Sequence, residues 1–399
     1  MKRTIFTAII SLFIAISSFA QSGTCGSNLT WNINAEGVLT ISGTGAMTDY
    51  FYTSGNITTA PWGVHASLLK SLVISDEITH IGKYAFWGCN GFTGDLTIPN
   101  SVKTIGEFAF RGCSGFKGSL IISNLMEVIG DGTFAFCSGF TGSLTIPNSV
   151  KTIGAEAFNS CSGFTGGLTI GDLVETIGRS AFSECKGFTG SLDIPNLVVT
   201  IGDYAFSGCR GFTGSLTIGN SVKTIKSAAF SGCIGFTGDL TIPNSVVTIG
   251  EYAFNGCVGF TSIESKAVAP PTATANTFNG INKAIPVYVP SGTLADYKAA
   301  TGWKDFTNMT EIGGSTGIKD NIQAIARVYP NADGTFTVDV TGSETYNVTV
   351  VNMQGQVVKR ETVTGGSHII NISNQPAGVY MFVVDNGKQK ATVKGIKRN

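Results

Sequence analysis

The sequence predicts a mainly β protein with short helical or 3-10 turns, in which a solenoid of 24-residue units precedes a small Ig-like β-sandwich. The apolar Leu, Ile and Phe positions keep one register through eight consecutive units, without an insertion. From residue 327 the repeat gives way to short runs of alternating residues separated by turn signals, as strands require. One cysteine marks each unit, at Cys89, Cys113, Cys137, Cys161, Cys185, Cys209, Cys233 and Cys257.

Composition excludes several function classes. The chain has 399 residues, 26 of them basic and 26 acidic, so its formal net charge is zero. No basic cluster indicates a nucleic-acid or membrane-surface footprint. The histidines His65, His80 and His368 are scattered, and no nucleophile-elbow, zinc-protease or phosphate-loop motif occurs. We therefore predict that the chain is not an enzyme and that it holds no cofactor or metal.

Residues 1–20 predict a secretory signal peptide. Lys2 and Arg3 form a positive start, and the apolar run 5–16 follows it. Small residues then place the cleavage between Ala20 and Gln21. No later apolar stretch reaches the ~18 residues that span a bilayer, so we expect an exported chain without a transmembrane helix.

Residues 21–71 predict an N-terminal β cap. The runs LTWNI at 29–33 and VLTIS at 38–42 flank the turn NAEG, which is typical of a hairpin. A hairpin here covers the open end of the stack, which otherwise leaves an unpaired edge.

The repeats occupy residues 72–263. In each unit Leu and Ile alternate, as at Leu96 and Ile98, which indicates one buried strand face. The A-F pair that follows predicts a helical or 3-10 turn carrying Phe into the core. A single unit cannot bury its apolar face alone, so the coils must stack. Residues 264–313 are expected to close the far end.

The cysteine ladder has three interpretations. Equivalent residues of stacked coils lie about 4.8 Å apart, within reach of a disulfide, but their Cβ vectors point the same way. This favours free, buried thiols over disulfides between coils. Zinc is the third interpretation, and the absence of any C-x-x-C pair disfavours it. Cys25 lies outside the register.

A row of exposed strand positions between the buried Leu and Ile is a candidate binding strip. Threonine is a good β-strand residue, so the row has a purely structural explanation as well. Ile121 and Asp193 interrupt the row, which disfavours an ice-binding lattice. The strip comprises Thr97, Thr145, Thr169, Asp193, Thr217 and Thr241.

The unit L-x-I-P/G-x-x-V-x-x-I-G-x-x-A-F-x-G-C closely resembles the BspA-like leucine-rich repeat. Residues 25–47 resemble the opening segment of that family, and residues 285–303 resemble its closing strand and helix. The resemblance implies a cell-surface protein that mediates adhesion or protein binding.

Residues 314–326 predict a linker, and residues 327–399 resemble the C-terminal sorting domain of the type IX secretion system. The resemblance implies handling by that machinery, removal of the tail, and attachment to the outer-membrane surface of a Gram-negative bacterium. An ordinary Ig-like binding module is the alternative. The motif positions are Tyr329, Pro330, Asn331, Gly355, Pro376, Ala377, Gly378, Tyr380 and Lys394.

The leading functional hypothesis is adhesion to an extracellular protein or host-surface ligand. A structural stalk without a specific ligand is one alternative, and a glycan-binding surface protein is another. The glycan hypothesis is disfavoured because exposed aromatic residues at stacking positions are sparse, namely Tyr84, Trp87, Phe108, Tyr204 and Tyr252.

Overall fold

A computed structural model describes residues 21–55, 57–312, 326–331, 333–388 and 390–397. The chain divides into two compact units, 1–313 and 314–399. The expected signal peptide, including Ala20, lies outside the described residues, as does the expected linker apart from its last residue.

The first unit begins with the cap. Strands β1 (Gln21–Gly26), β2 (Leu29–Ile33) and β3 (Val38–Gly43) form an antiparallel meander. The Asn34 side chain accepts hydrogen bonds from the Val38 and Glu36 amides and so shapes the hairpin turn. β3 pairs in parallel with β5 (Ser71–Ile74), which joins the cap to the first coil. The short strand β4 (Gly45–Ala46) and a 3-10 turn (Gly63–His65) complete this region.

One continuous parallel sheet of nine strands runs along the repeats, starting at β4. From β6 onward, each residue pairs with its equivalent 24 positions later, as Thr152 pairs with Thr176. The other strands are β6 (Ile78–Ile81), β8 (Thr104–Ile105), β10 (Val128–Ile129), β12 (Thr152–Ile153), β14 (Thr176–Ile177), β16 (Thr200–Ile201), β18 (Thr224–Ile225) and β20 (Thr248–Ile249).

A second row of strands is paired only two by two. β7 pairs with β9, β11 with β13 and β15 with β17, and no ladder joins these pairs within residues 57–312, which are described without a gap. The strands are β7 (Leu96–Thr97), β9 (Leu120–Ile121), β11 (Leu144–Thr145), β13 (Leu168–Thr169), β15 (Leu192–Asp193) and β17 (Leu216–Thr217).

This pairing follows a 48-residue period in the sequence. Directly after the buried Ile, coils carry Pro99, Pro147, Pro195 and Pro243 in alternation with Ser123, Gly171 and Gly219. A proline has no N–H to donate to the coil before it, so the ladder breaks at every second coil. In this row the structural repeat therefore comprises two of the 24-residue units that the sequence indicates.

Two phenylalanine ladders fill the core of the stack. Ring centroids of successive coils lie 5.2 Å apart from Phe158 to Phe182 and 5.2 Å apart from Phe164 to Phe188, and the planes are nearly parallel. These rings are fully buried. Because each ring packs on its copies above and below, every coil depends on its neighbours for its apolar burial.

The cysteines form a third ladder beside the phenylalanines. All nine described cysteines are buried free thiols. The Sγ of Cys161 donates a hydrogen bond to the carbonyl oxygen of Phe134 in the preceding coil at 3.0 Å, and the same bond recurs from Cys113 to Cys257. Burial raises the pKa of Cys161, Cys185 and Cys209, and it raises that of Cys257 to about 12. Sequence reasoning placed the thiols in a ladder but did not find their carbonyl partners.

The far end of the first unit is closed by a parallel sheet and one helix. Strands β19 (Gly238–Ile242), β21 (Phe260–Ser265), β22 (Pro286–Val289) and β23 (Asn308–Glu311) pair in that order. The helix α1 (Leu294–Ala299) contributes the buried Tyr297, whose hydroxyl donates to the Ala267 carbonyl oxygen at 2.7 Å. Trp303 is also buried, and its Nε1 donates to Pro271.

The second unit is an antiparallel sheet structure consistent with an Ig-like domain. Strands β24 (Ala326–Pro330), β25 (Thr335–Asn352), β26 (Val357–Asn371), β27 (Gly378–Asp385) and β28 (Lys390–Lys397) form it. The long β25 pairs with β24 and β26 over its first half and with β26 and β27 over its second half. Its core is separate from that of the repeats and includes Phe336, Val348, Ile370 and Phe382.

Candidate binding site

Two positions of each coil adopt a left-handed backbone in the turn after the nine-stranded sheet. The first position has φ between 53° and 58° in eight successive coils and accepts side chains of every kind. These residues are Tyr84, Phe108, Gly132, Glu156, Ser180, Tyr204, Ala228 and Tyr252. The second position lies four residues later and is glycine in most coils, as at Gly88 and Gly112. Such backbones are costly for residues with a Cβ, so their side chains need a separate explanation.

Side chains at these turns gather into one aromatic cluster near the cap. Tyr52 stacks on Trp87 with ring centroids 4.8 Å apart and planes 12° apart. Tyr84 stacks on Phe108 at 5.5 Å. Tyr84 and Trp87 are also in contact, at 5.4 Å, so the cap and the first two coils share one aromatic surface.

Arg111 lies among these rings. Its Cζ is 4.6 Å from the ring centroid of Phe136, 5.2 Å from Trp87 and 5.6 Å from Phe108. A guanidinium over an aromatic face gains roughly 0.5–1 kcal/mol, and more when it is desolvated. Its Nη1 lies 3.3 Å from Oε2 of Glu156. Three rings therefore fix the position of the guanidinium.

The third coil departs from the repeat at this cluster. A Cβ on Gly132 would lie 2.2 Å from Cδ1 of Phe108, so only glycine leaves room for that ring. Phe136 has φ 61° at the position where neighbouring coils place Gly88 and Gly112. Holding a bulky residue there costs on the order of 1–3 kcal/mol. The fourth and fifth coils also place a residue with a Cβ at this register, Ser160 and Glu184, but only Phe136 brings a ring to Arg111.

The cluster forms one wall of an open pocket of about 670 Å³, lined by Tyr52, Val64, Trp87, Arg111 and Phe136 among others. Pockets of this size are typical of ligand sites and accept a few protruding side chains. Arg111 is the sole charged residue among the lining residues, and Asn90 and Ser67 add polar groups. The pocket thus combines an apolar surface with one positive charge.

The aromatic cluster includes members beyond the sparse exposed aromatic residues on which the sequence disfavoured a glycan ligand. That set included Tyr84, Trp87 and Phe108 but missed the other members, because Tyr52 lies in the cap and Phe136 replaces a glycine. The available signal was the irregular stretch GDGTFAF at 130–136, where Thr and Phe replace the Ala and Gly of the first two coils, GKYAFWG and GEFAFRG. Tyr204 and Tyr252 occupy the register of Tyr84 but belong to distant coils.

The predicted strip lies on the second row of strands. Its members are exposed except for Thr241, which is half-buried and lies on β19 of the closing sheet. Because these strands pair only two by two, the strip is a series of short segments rather than one flat ladder. Its role in binding stays a prediction.

Several predicted sorting residues hold the fold of the tail. Asn331 donates from Nδ2 to the Thr335 hydroxyl, and its Oδ1 accepts from Thr337. Gly355 has φ 75° in the turn between β25 and β26. The Tyr380 hydroxyl donates to the Pro376 carbonyl oxygen at 2.7 Å, next to Ala377 and Gly378.

Two other predicted sorting residues, from opposite ends of the tail, lie together. Tyr329 of β24 and Lys394 of β28 line one groove of about 430 Å³, together with Arg327. Pro330 ends β24 and is exposed. Each of these two strands is bonded on one side only, so the groove lies between two sheet edges.

Comparison with known families agrees with this architecture. Residues 65–189 and 175–291 match the BspA type leucine rich repeat region, in six copies, and so cover more than half of the chain. The chain belongs to the BspA-type leucine-rich repeat family. Residues 327–398 match the secretion system C-terminal sorting domain. The protein is therefore a cell-surface member of the family with a sorting domain, which indicates secretion, surface attachment and type IX handling.

Solved structures with similarity are bacterial leucine-rich repeat proteins. One from Eubacterium ventriosum ATCC 27560 is 21% identical, with 73% of this chain and 84% of that chain covered and a TM-score of 0.40. A leucine rich cell surface protein from Faecalibacterium prausnitzii A2-165 is 21% identical, with 74% and 96% covered and a TM-score of 0.38. Among curated proteins, none matches the chain.

Neither a membrane-spanning helix nor a metal-binding group occurs within the described ranges. Among those residues, no helix has both the length and the apolar character needed to cross a membrane. The same part of the chain contains no group of three or more His, Cys, Asp or Glu placed to hold a metal ion.

Proposed function

We propose that this BspA-type protein is a surface-displayed adhesin that binds an extracellular protein through the aromatic cluster and Arg111. The observation that carries the proposal is the convergence of Trp87, Tyr52 and Arg111 at one open pocket. Tryptophan, tyrosine and arginine are the residues most enriched at the energetic centres of protein interfaces. The members of the repeated threonine rows, in contrast, are alike and spread along the stack.

The rim of the pocket favours a protein partner over a glycan. Val64 is 84% exposed and Ile57 is 39% exposed, and both line the pocket. Phe51 and Leu68, adjacent in sequence to lining residues, are exposed as well. Aliphatic side chains offer no hydrogen bond to sugar hydroxyls, whereas they bury apolar side chains of a protein well.

Delivery to the surface is the second part of the proposal. Residues 1–20 direct export, and residues 327–399 are removed by the type IX machinery as the protein becomes anchored to a Gram-negative outer membrane. Residues 21–71, 72–263 and 264–313 act as cap, repeats and closing cap, and residues 314–326 act as the linker. The displayed part binds without catalysing a reaction, because the pocket offers one charged lining residue and no partner for acid–base chemistry.

The test is binding of residues 21–399 to immobilised extracellular-matrix proteins and to whole partner cells. Trp87→Ala should weaken saturable binding at least tenfold, as expected for the centre of an interface. Tyr204→Ala is the matched control, since Tyr204 is 45% exposed at the register of Tyr84, outside the cluster. Equal binding by both variants would show that the binding site does not include Trp87. No saturable binding at micromolar concentration would favour a structural surface element, and binding to glycans alone would favour the glycan hypothesis.

A further inference from the structure

We propose that the Glu156 carboxylate pairs with Arg111 in the unbound protein as a stand-in for a carboxylate of the partner. The epitope that the partner presents is then an Asp or Glu beside a large apolar side chain. This inference rests on the proposed function and adds the chemistry of the ligand. It begins from one ion pair that joins two coils across a third.

Glu156 contacts Arg111 although the two residues lie in coils that are not adjacent. Arg111 belongs to the second coil and Glu156 to the fourth, and the coil between them has Gly132 at the register of Glu156. Glu156 itself has φ 56°, a strained backbone for a residue with a long side chain. The carboxylate nevertheless comes to the arginine that the aromatic rings hold.

The contact between Glu156 and Arg111 is weak. Nη1 and Oε2 are 3.3 Å apart, whereas a strong guanidinium–carboxylate bond measures about 2.7–2.9 Å. The Glu156 side chain is 42% exposed, so water competes for it. Exposed ion pairs contribute little, and a second carboxylate that meets the guanidinium in a two-bond geometry can replace this one.

Arg111 does not depend on Glu156 for its position. Phe136, Trp87 and Phe108 each lie within 5.6 Å of its Cζ. A guanidinium that rings hold in place loses little conformational freedom on binding, which makes it a preorganised receptor for a planar carboxylate. The strain at Phe136 is then the cost of keeping the guanidinium in place.

The apolar part of the epitope follows from the other wall. Tyr52 stacks on Trp87, and Val64 lines the same pocket with most of its side chain exposed. A partner carboxylate at Arg111 places its neighbouring residue against this wall. A leucine, isoleucine or phenylalanine there buries apolar surface that water otherwise covers.

The experiment uses residues 21–399 and an array of 12-residue peptides. Each peptide carries one Asp or Glu beside Leu, Ile or Phe, and its twin carries Asn or Gln instead. Sialylated and neutral oligosaccharides are included as separate probes. We expect acidic peptides to bind above their amide twins, and Arg111→Gln to abolish that preference.

Glu156→Gln is the decisive variant. Removal of the internal carboxylate should raise the affinity for acidic peptides by about two- to fivefold, the range expected for loss of an exposed ion pair, and leave the amide twins unchanged. Glu184→Gln is the matched control, because Glu184 also has positive φ and pairs with Lys186 at 2.8 Å, away from the pocket. It should change neither affinity.

The outcomes separate this inference from the proposed function. An unchanged or lower affinity of Glu156→Gln for acidic peptides would overturn the stand-in role. Equal binding of acidic and amide peptides, or no peptide binding at all, would overturn the acidic epitope. Sialylated oligosaccharides bound in place of peptides would overturn it too. In each case a loss of cell binding by Trp87→Ala would still support the proposed adhesin.

Discussion

Phe136 and Phe158 are the same residue type in opposite situations. Phe158 is fully buried in a ring ladder, with φ in the ordinary range, and stabilises the stack. Phe136 is 43% exposed, has a left-handed backbone, and contacts Arg111. Residue type alone does not distinguish the two, because the difference lies in the position within the coil.

Replacement of Phe136 by glycine should therefore impair binding without impairing folding. Glycine relieves the backbone strain while the cation–π contact is lost, so the unfolding free energy should stay within about 1 kcal/mol of the parent. Phe158→Ala should lower it by about 3–5 kcal/mol. Chemical denaturation measures both, and a large loss of stability in Phe136→Gly would show that its ring is structural.

At the scale of elements, the alternation of proline and glycine divides the second row of strands into pairs. Ile146 donates to the Thr169 carbonyl oxygen within a pair, at 2.9 Å. A Cβ on Gly171 would lie 2.5 Å from the carbonyl oxygen of Pro147, so this glycine permits a close approach of two coils. The neighbouring Gly167 has no atom within 4 Å of such a Cβ.

These two glycines predict opposite responses to alanine. Gly171→Ala forces backbone against backbone and should lower the unfolding free energy by about 1–3 kcal/mol. Gly167→Ala should be neutral or stabilise by up to about 1 kcal/mol, because it reduces the freedom of the unfolded chain. Thermal and urea unfolding of the pair test this, and equal effects would contradict the close packing of coils at Gly171.

The cysteine ladder predicts a loss of stability at alkaline pH. Burial raises the pKa of Cys257 from 9.0 to about 12, and desolvation also raises the pKa of Cys185 and Cys209. Above pH 9 the unfolded chain releases protons that the folded chain retains, so stability is complete below pH 9 and falls as pH rises towards the folded values.

Urea unfolding at pH 7.5 and 9.5 with a reductant measures this effect. The expected loss is roughly 1 kcal/mol per buried thiol at pH 9.5. A Cys185→Ala, Cys209→Ala double variant is the control for tyrosine and lysine titration and should show a shallower dependence. Identical pH dependence in the parent and the variant would mean that these thiols ionise equally in both states.

At the scale of the whole molecule, the tail has its own core and its own sheet. Phe336 and Phe382 belong to a cluster that contains no residue of the repeats. The predicted sorting residues Asn331 and Tyr380 shape its turns, whereas Tyr329 and Lys394 line a groove between sheet edges. The tail thus has a structural basis as a separate module for secretion.

Deletion of residues 327–399 should leave the protein in the periplasm. Cell fractionation and surface labelling of intact cells provide the measurement, with Tyr204→Ala in the otherwise complete chain as a control that still reaches the surface. Surface display of the truncated chain would contradict the sorting role.

The sequence by itself determined the solenoid, its 24-residue register, the buried cysteines and the sorting tail. A periodic pattern predicts which side chains contact the equivalent side chains of neighbouring coils. The stacking of Phe158 on its equivalents therefore follows from spacing alone. The tertiary structure decided where unlike residues meet. Tyr52, Arg111 and Glu156 share no period, and the path of the chain from the cap through four coils brings them together. Contacts between residues of different register depend on the exact course of each turn, which a repeat pattern does not contain.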